Sequence, residues 1–386
     1  MKSLHVGFVV YGGLEETSGG FRYDRQLVAH LEERGDDVDV IALPWRSYRR
    51  HLLDGYSRSL RERLDRSFDV LIQDELCHPS LWRHNDRLGR PGAVVSLVHL
   101  LRSGRSYGRL DYRRTVDGTV ERRYLRSVDA AVCTSRDTRD RVTELADLPT
   151  FVAPPGGRVG DAAVDGERVE SRAHSAGSLR VVFLGNVIPR KGLQTLLEAL
   201  RRADCAWELT VVGSLDANPE YRESVLALVS ECGLDDRVTF TGEVADEQLP
   251  SILERRHVLA VPSTYEGFGM AYLEAMEYGV VPIASTVGGA PEFVDHGSNG
   301  YLVAPGDTGS IVEVLEGLAT DRNELARLGT NALETAASHP TWEETMSAVR
   351  EFLRDQGKPG RGYRTRRPRA QTENLGGRGT QEKDRS

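Results

Sequence analysis

Short apolar runs of strand length recur along this chain, with helical stretches between some of them, and the alternation stops once and then restarts. Leu4–Val10, Val38–Leu43, Asp69–Gln73, Ala93–Val98 and Ala130–Thr134 read as buried strands, and Arg22–Arg34 and Thr138–Ala146 as helices among them. Pro154–Ser178 is rich in Gly, Ala, Asp and Pro and has no period, so it reads as the region joining two domains. Beyond it, Arg180–Leu184, Leu209–Val212, Val238–Thr241, Val258–Val261 and Val281–Ser285 are strand candidates. Leu193, Leu196, Leu197 and Leu200 mark one face of a helix. Repeated strand–helix alternation implies parallel sheets covered on both faces. The expected fold is therefore α/β, with two doubly wound domains over 1–153 and 179–340 and a joining region at 154–178. With 386 residues the chain has material for two such cores. Strand order is not fixed by the alternation. Ligands of doubly wound domains bind in loops that follow the strands.

Thr341-Trp342-Glu343-Glu344 has the form of a capped helix start, and the helix runs on over 341–356. From Gly357 to Ser386 there are nine Lys/Arg and three acids, which leaves the rest of the chain at −14 of an overall −8. That last stretch has too few apolar residues to build a core, so a solvated basic tail is expected. An acidic body argues against a nucleic-acid enzyme, and no nucleic-acid partner is expected. Arg102–Arg126 holds eight arginines against Asp111, Asp117 and Glu121, with Tyr107, Tyr112 and Tyr124 interleaved. It reads either as a solvated helical face or as a contact for an anionic membrane or acceptor. Cys77, Cys133, Cys205 and Cys232 form no C-x-x-C pair, which argues against a disulfide framework or a zinc site. No run approaches the length of a membrane span, and Leu4–Val10 is too short for a signal segment. A cytoplasmic protein is expected, with a peripheral contact at the inner face of the membrane as the one addition.

Glu266-Gly267-Phe268-Gly269 follows the strand Val258–Val261 and leads into an apolar helix pattern that carries Glu274. Glycine lets a ligand approach the backbone, and helical side chains lean back toward the N-terminus, so both carboxylates can face one pocket. The free N–H groups of the helix start favour an anion. Taken alone, Glu274 reads as an acid placed to suit a helix dipole, and the functional reading rests on the combination with its surroundings. Gly185-Asn186-Val187-Ile188-Pro189-Arg190-Lys191-Gly192 follows another strand and opens the leucine helix, so two cations stand beside a helix start, as a diphosphate site needs. Asp37-Val38-Asp39 has the letters of a metal-binding D-x-D, but it begins a strand instead of ending one. No metal site is expected.

The segment Glu266 to Glu274 resembles the paired-glutamate motif of retaining GT-B glycosyltransferases of the large GT4-like family, the glycosyl transferases group 1. The resemblance extends through Ala275-Met276-Glu277-Tyr278-Gly279, Gly288-Gly289-Ala290-Pro291-Glu292 and Gly300-Tyr301-Leu302-Val303, and back to Gly185–Gly192. It implies two Rossmann-like domains facing across a cleft, with the terminal helix crossing back onto the first. It implies that Glu274 accepts hydrogen bonds from ribose hydroxyls and that Arg190 and Lys191 meet the donor diphosphate. Gly267, Phe268 and Gly269 would offer backbone N–H groups to the sugar, and Glu266 and His99 would hold its hydroxyls from opposite sides. Gly213 and the Glu243-Val244 loop would line the nucleotide crevice, and Gly20 the phosphates or acceptor, a role for which Gly12-Gly13 competes. Lys191 matches the family position directly. Asn186 stands where relatives often carry Arg, and Arg190 would supply that charge from a neighbouring position.

The implied function is transfer of a sugar from a nucleotide diphosphate sugar to an acceptor hydroxyl, with retained configuration and without metal or cofactor. The acceptor would be a carbohydrate, a lipid-linked molecule or a small molecule. A nucleotide-sugar epimerase or a phosphorylase of the same fold, and a non-catalytic nucleotide-sugar-binding protein, remain as alternatives. Donor conversion without acceptor, phosphate-dependent cleavage, or binding without turnover would tell these apart.

Overall fold

The computed structural model describes residues 3–15, 18–102, 112–157 and 164–358. The first domain is a parallel sheet of β1 (His5–Tyr11), β2 (Asp37–Leu43), β3 (Val70–Asp74), β4 (Ala93–Val98), β5 (Ala130–Cys133) and β6 (Thr150–Val152). Its strand order is β2-β1-β3-β4-β5-β6. The second holds β7 (Leu179–Leu184), β8 (Trp207–Val212), β9 (Val238–Gly242), β10 (Val258–Ala260), β11 (Val281–Ser285) and β12 (Tyr301–Val303), in the order β12-β11-β10-β7-β8-β9. Every residue of β3, β4, β5, β10 and β11 is buried, as strands covered by helices on both faces require. The expected α/β architecture of two doubly wound domains is present. The strands β6 and β12 were not expected. Each has three residues, too few to show a period.

Counting strands within the second domain alone, the order is that of a dinucleotide-binding sheet, and its direction reverses between β7 and β10. The loops leaving those two strands are the ones that carry Gly185–Gly192 and Ser263–Gly269. In the first domain the reversal lies between β1 and β3. The helix Gly19–Glu33 begins three residues before the expected Arg22, which brings Gly20 and Arg22 into its first turn at that crevice.

Helix Trp342–Gln356 starts on a complete capping box between Thr341 and Glu344. Its Met346, Val349 and Leu353 join a core with Val6, Phe8, Val70 and Ile72 of the first domain. Phe352 stacks on Phe151 at 5.1 Å, and the Arg350 guanidinium grips both oxygens of Asp36 at 2.6 and 2.9 Å. The two chain crossings between domains run side by side at Gly157 and Thr341. A Cβ on Gly156 would sit 2.2 Å from the Trp342 nitrogen, so only glycine fits that crossing.

Of the basic segment Arg102–Arg126, residue 102 and residues 112–126 are described; Tyr107 lies outside the described residues, as does the tail from 359. Tyr124 is a correction to the interfacial reading. It is fully buried and donates to Ser96 Oγ at 3.0 Å, because it packs in the first domain's core.

Candidate active site

A cleft of about 590 Å³ lies between the domains. Its walls include Gly20 and His99 from the first domain, and Arg190, Lys191, Gly213, Glu243, Val244, Glu266, Gly267, Phe268, Gly269 and Glu274 from the second. Asn186 also lines it. Gly12 and Gly13 are not among its walls. Asp37 and Asp39 sit on the edge strand β2, beside His5.

Glu266 is buried, and its Oε1 gathers three donors: Ser263 Oγ at 2.6 Å, Lys191 Nζ at 2.7 Å and Arg190 Nη1 at 3.1 Å. Burial alone would raise its pKa. Lys191 and Arg190 overcome that and hold it down to about 2. The same burial pulls the Lys191 ammonium below its usual range, with Glu266 opposing. Arg190 also donates to the Tyr265 carbonyl at 2.8 Å, which fixes its guanidinium beside the Glu266-Gly267 turn. Two cations and an ionised acid thus form one cluster at the strand reversal.

The expected anion-binding helix after Gly269 is only seven residues long, Met270–Met276. Its field is correspondingly weak, so charge on a ligand must be met mainly by side chains. Glu274 lies within it and is ion-paired to Arg22 of the first domain. Lys191 feels the charge of both Glu266 and Glu274, so the two carboxylates and their cations form one network.

His99 faces the cleft from the end of β4. Its Nε2 meets Asp24 Oδ1 at 2.8 Å, and Tyr23 packs edge-on at 5.3 Å. Burial lowers its pKa, but Asp24 and then Glu75 reverse the balance, so the ring is held above its ordinary value. Asp24 is fully buried in the helix Gly19–Glu33, and its second oxygen has no partner. Glu75 accepts the N–H groups of His99 and Leu100 at 3.0 and 3.3 Å. Asp74, Glu75 and His99 are close enough for a cation, but this acidic group is already engaged. Burial, then Glu75 and Asp24, push the Asp74 carboxyl well up toward its protonated form.

The domains meet closely around the cleft. A Cβ on Gly267 would lie 2.0 Å from the His99 carbonyl oxygen, so this glycine permits the approach of the two walls. Tyr265 Oη donates to Asp137 Oδ2 at 2.9 Å, and Arg141 lies 4.5 Å over the Tyr265 ring. Glu292 Oε1 accepts the Asp137 N–H at 3.0 Å, at the start of helix Arg136–Leu145 in the other domain. The Gly288–Glu292 segment thus caps a helix across the interface. Arg22, Asp24 and Glu292 were missed from sequence. Asp24 had a signal, since it interrupts the stripe Phe21, Leu27, Val28 and Leu31 that the helix buries.

Residues 167–335 match the model of the family described as glycosyl transferases group 1. A GDP-mannose-dependent alpha-(1-6)-phosphatidylinositol monomannoside mannosyltransferase of Mycobacterium tuberculosis is 35% identical over 185 residues, covering 45% of this chain and 47% of that protein. The match therefore spans about half the length of that relative. A lipopolysaccharide core biosynthesis glycosyltransferase of Rhizobium meliloti is 27% identical over 364 residues, 92% of this chain and 99% of that protein. Among solved structures, a sucrose-phosphate synthase from Thermosynechococcus elongatus superposes with a TM-score of 0.76 at 20% identity, over 91% of this chain and 98% of that one. The shared architecture is GT-B.

Proposed function

From the membership of residues 167–335 in the glycosyl transferases group 1 family, we propose that the chain transfers a sugar from a nucleotide diphosphate sugar to an acceptor hydroxyl, retaining the anomeric configuration and using no metal. The observation that carries this reading is the cluster at the β7/β10 reversal, where Arg190 and Lys191 converge on Glu266 inside an interdomain cleft. A departing diphosphate gains negative charge as the glycosidic bond breaks. Lys191 and Arg190 stabilise that charge more in the transition state than in the ground state. Glu274 takes the ribose hydroxyls. Glu266 accepts from the sugar hydroxyls, and the Gly267–Gly269 backbone supports the ring. His99 contributes through Nδ1, since Nε2 is committed to Asp24. Gly213, Glu243 and Val244, which line the same cleft, take the base.

A panel of nucleotide sugars tests this directly. The true donor, at a hundredfold excess over its Kd, should raise apparent stability by about 2.7 kcal/mol in thermal unfolding. With that donor and its acceptor, NMR of the fresh product should show the donor's own anomeric configuration, and transfer should survive EDTA. An inverted product, or activity lost to EDTA and restored by a divalent cation, would refute the corresponding clause.

The acceptor we propose is a glycan or lipid-linked molecule, reached by a peripheral contact of the first domain. Among the described residues no helix is long and apolar enough to cross a membrane. Trp45, Leu53 and Tyr56 are 49, 68 and 64% exposed. They lie in Trp45–Arg66, which carries seven arginines against three acids. Apolar side chains set in a basic surface suit an anionic bilayer. Sedimentation with vesicles rich in anionic lipid should recover the protein, and the triple variant W45S/L53S/Y56S should stay in the supernatant. Equal sedimentation of both would reject this surface.

A further inference from the structure

Arg22 crosses from the first domain to pair with Glu274 in the second. It stands in the first turn of the fifteen-residue helix Gly19–Glu33, a turn that holds no acid. A cation there opposes the helix field. The side chain is only 17% exposed and its partner 14%, so both have given up hydration. Such a placement is costly for a residue with only a surface role. On the facing wall Arg190 and Lys191 share one oxygen of Glu266, and Asn186, which also lines the cleft, is neutral.

We propose that Arg22 is a diphosphate-binding cation of the donor site, supplied by the first domain in place of a charge at Asn186. This rests on the reading that Glu274 turns to the ribose of a bound donor. When it does, the Arg22 guanidinium loses its carboxylate inside a half-buried cleft. The incoming diphosphate is the anion that replaces it, and the planar fork of arginine suits two phosphate oxygens at once. One buried ion pair is exchanged for another, and Glu274 is left accepting hydrogen bonds from the ribose hydroxyls. The exchange also ties donor binding to the closed arrangement of the domains, because Arg22 reaches the site only from across the cleft.

Titration calorimetry on the full chain tests this with GDP, UDP and the nucleosides guanosine and uridine. For the base that binds, Arg22→Ala should weaken the diphosphate about ten- to a hundred-fold and leave the nucleoside unchanged. Arg22→Lys should recover part of the loss. Should Arg22→Ala fail to fold, Arg22→Gln is read in the same way. If the variant binds the diphosphate as tightly as the wild type, or more tightly, Arg22 serves only to hold Glu274 and the inference falls alone. If the wild type binds neither diphosphate, the donor reading fails and takes the inference with it.

Discussion

Replacing Lys191 with methionine should lower kcat by about a hundred- to a thousand-fold while weakening donor binding far less. Methionine keeps the stem and removes the charge, so packing against the neighbouring loop is largely kept. The ammonium lies 2.7 Å from Glu266 Oε1 and is desolvated, which strengthens whatever charge it meets. In the ground state the diphosphate already carries its charge and can draw on Arg190 and on Arg22. The increment that appears as the sugar departs falls on the nearest cation. Steady-state rates set beside calorimetric affinities make the measurement. A variant that loses donor affinity and keeps its turnover at saturation would show that Lys191 binds substrate and transition state alike, and its proposed role would be wrong.

Much of this site was legible because its parts are local in sequence. Glu266 and Glu274 are held by one turn and one short helix, and Arg190 with Lys191 by one loop. Apolar runs such as Ala93–Val98 announce themselves as central strands because every residue is buried. What stayed hidden depends on distance along the chain. Strand order follows from crossovers that no local pattern encodes. Arg22 and Glu274 are 252 positions apart, and the Glu292 cap on Asp137 spans 155. The terminal helix showed its cap, Thr341 with Glu344, but its destination is set by Met346, Val349 and Leu353 finding the first domain's core. An apolar start says nothing of where a helix stops, and the helix after Gly269 ends after seven residues, which give little dipole.

Glu266→Gln should reduce stability near neutral pH by about 3 kcal/mol, and the loss should fade in acid. In the folded protein Glu266 titrates at about 2 against an ordinary 4.5, because Lys191 and Arg190 outweigh the cost of burial. A folded-state pKa below the unfolded one means that the ionised carboxylate stabilises the fold. That contribution is fully present above the unfolded pKa. It declines as the pH falls below about 4.5, and it is gone once the folded group itself is protonated near 2. Urea unfolding of wild type and variant at matched pH isolates this group, since other acids contribute equally to both chains. The gap between the two curves should be widest at pH 7 and should close on the way to strong acid. A gap independent of pH would mean that the cost comes from packing and not from charge. Transfer activity separates the two jobs of this carboxylate. Glutamine at 266 leaves Lys191 and Arg190 without their anion, so a nucleoside diphosphate should bind at least as well as before. Sugar transfer should still fall about ten- to a hundred-fold, because the charged acceptor for the sugar hydroxyls is lost. If diphosphate affinity and transfer instead fell together, Glu266 would matter only as the residue that positions the two cations.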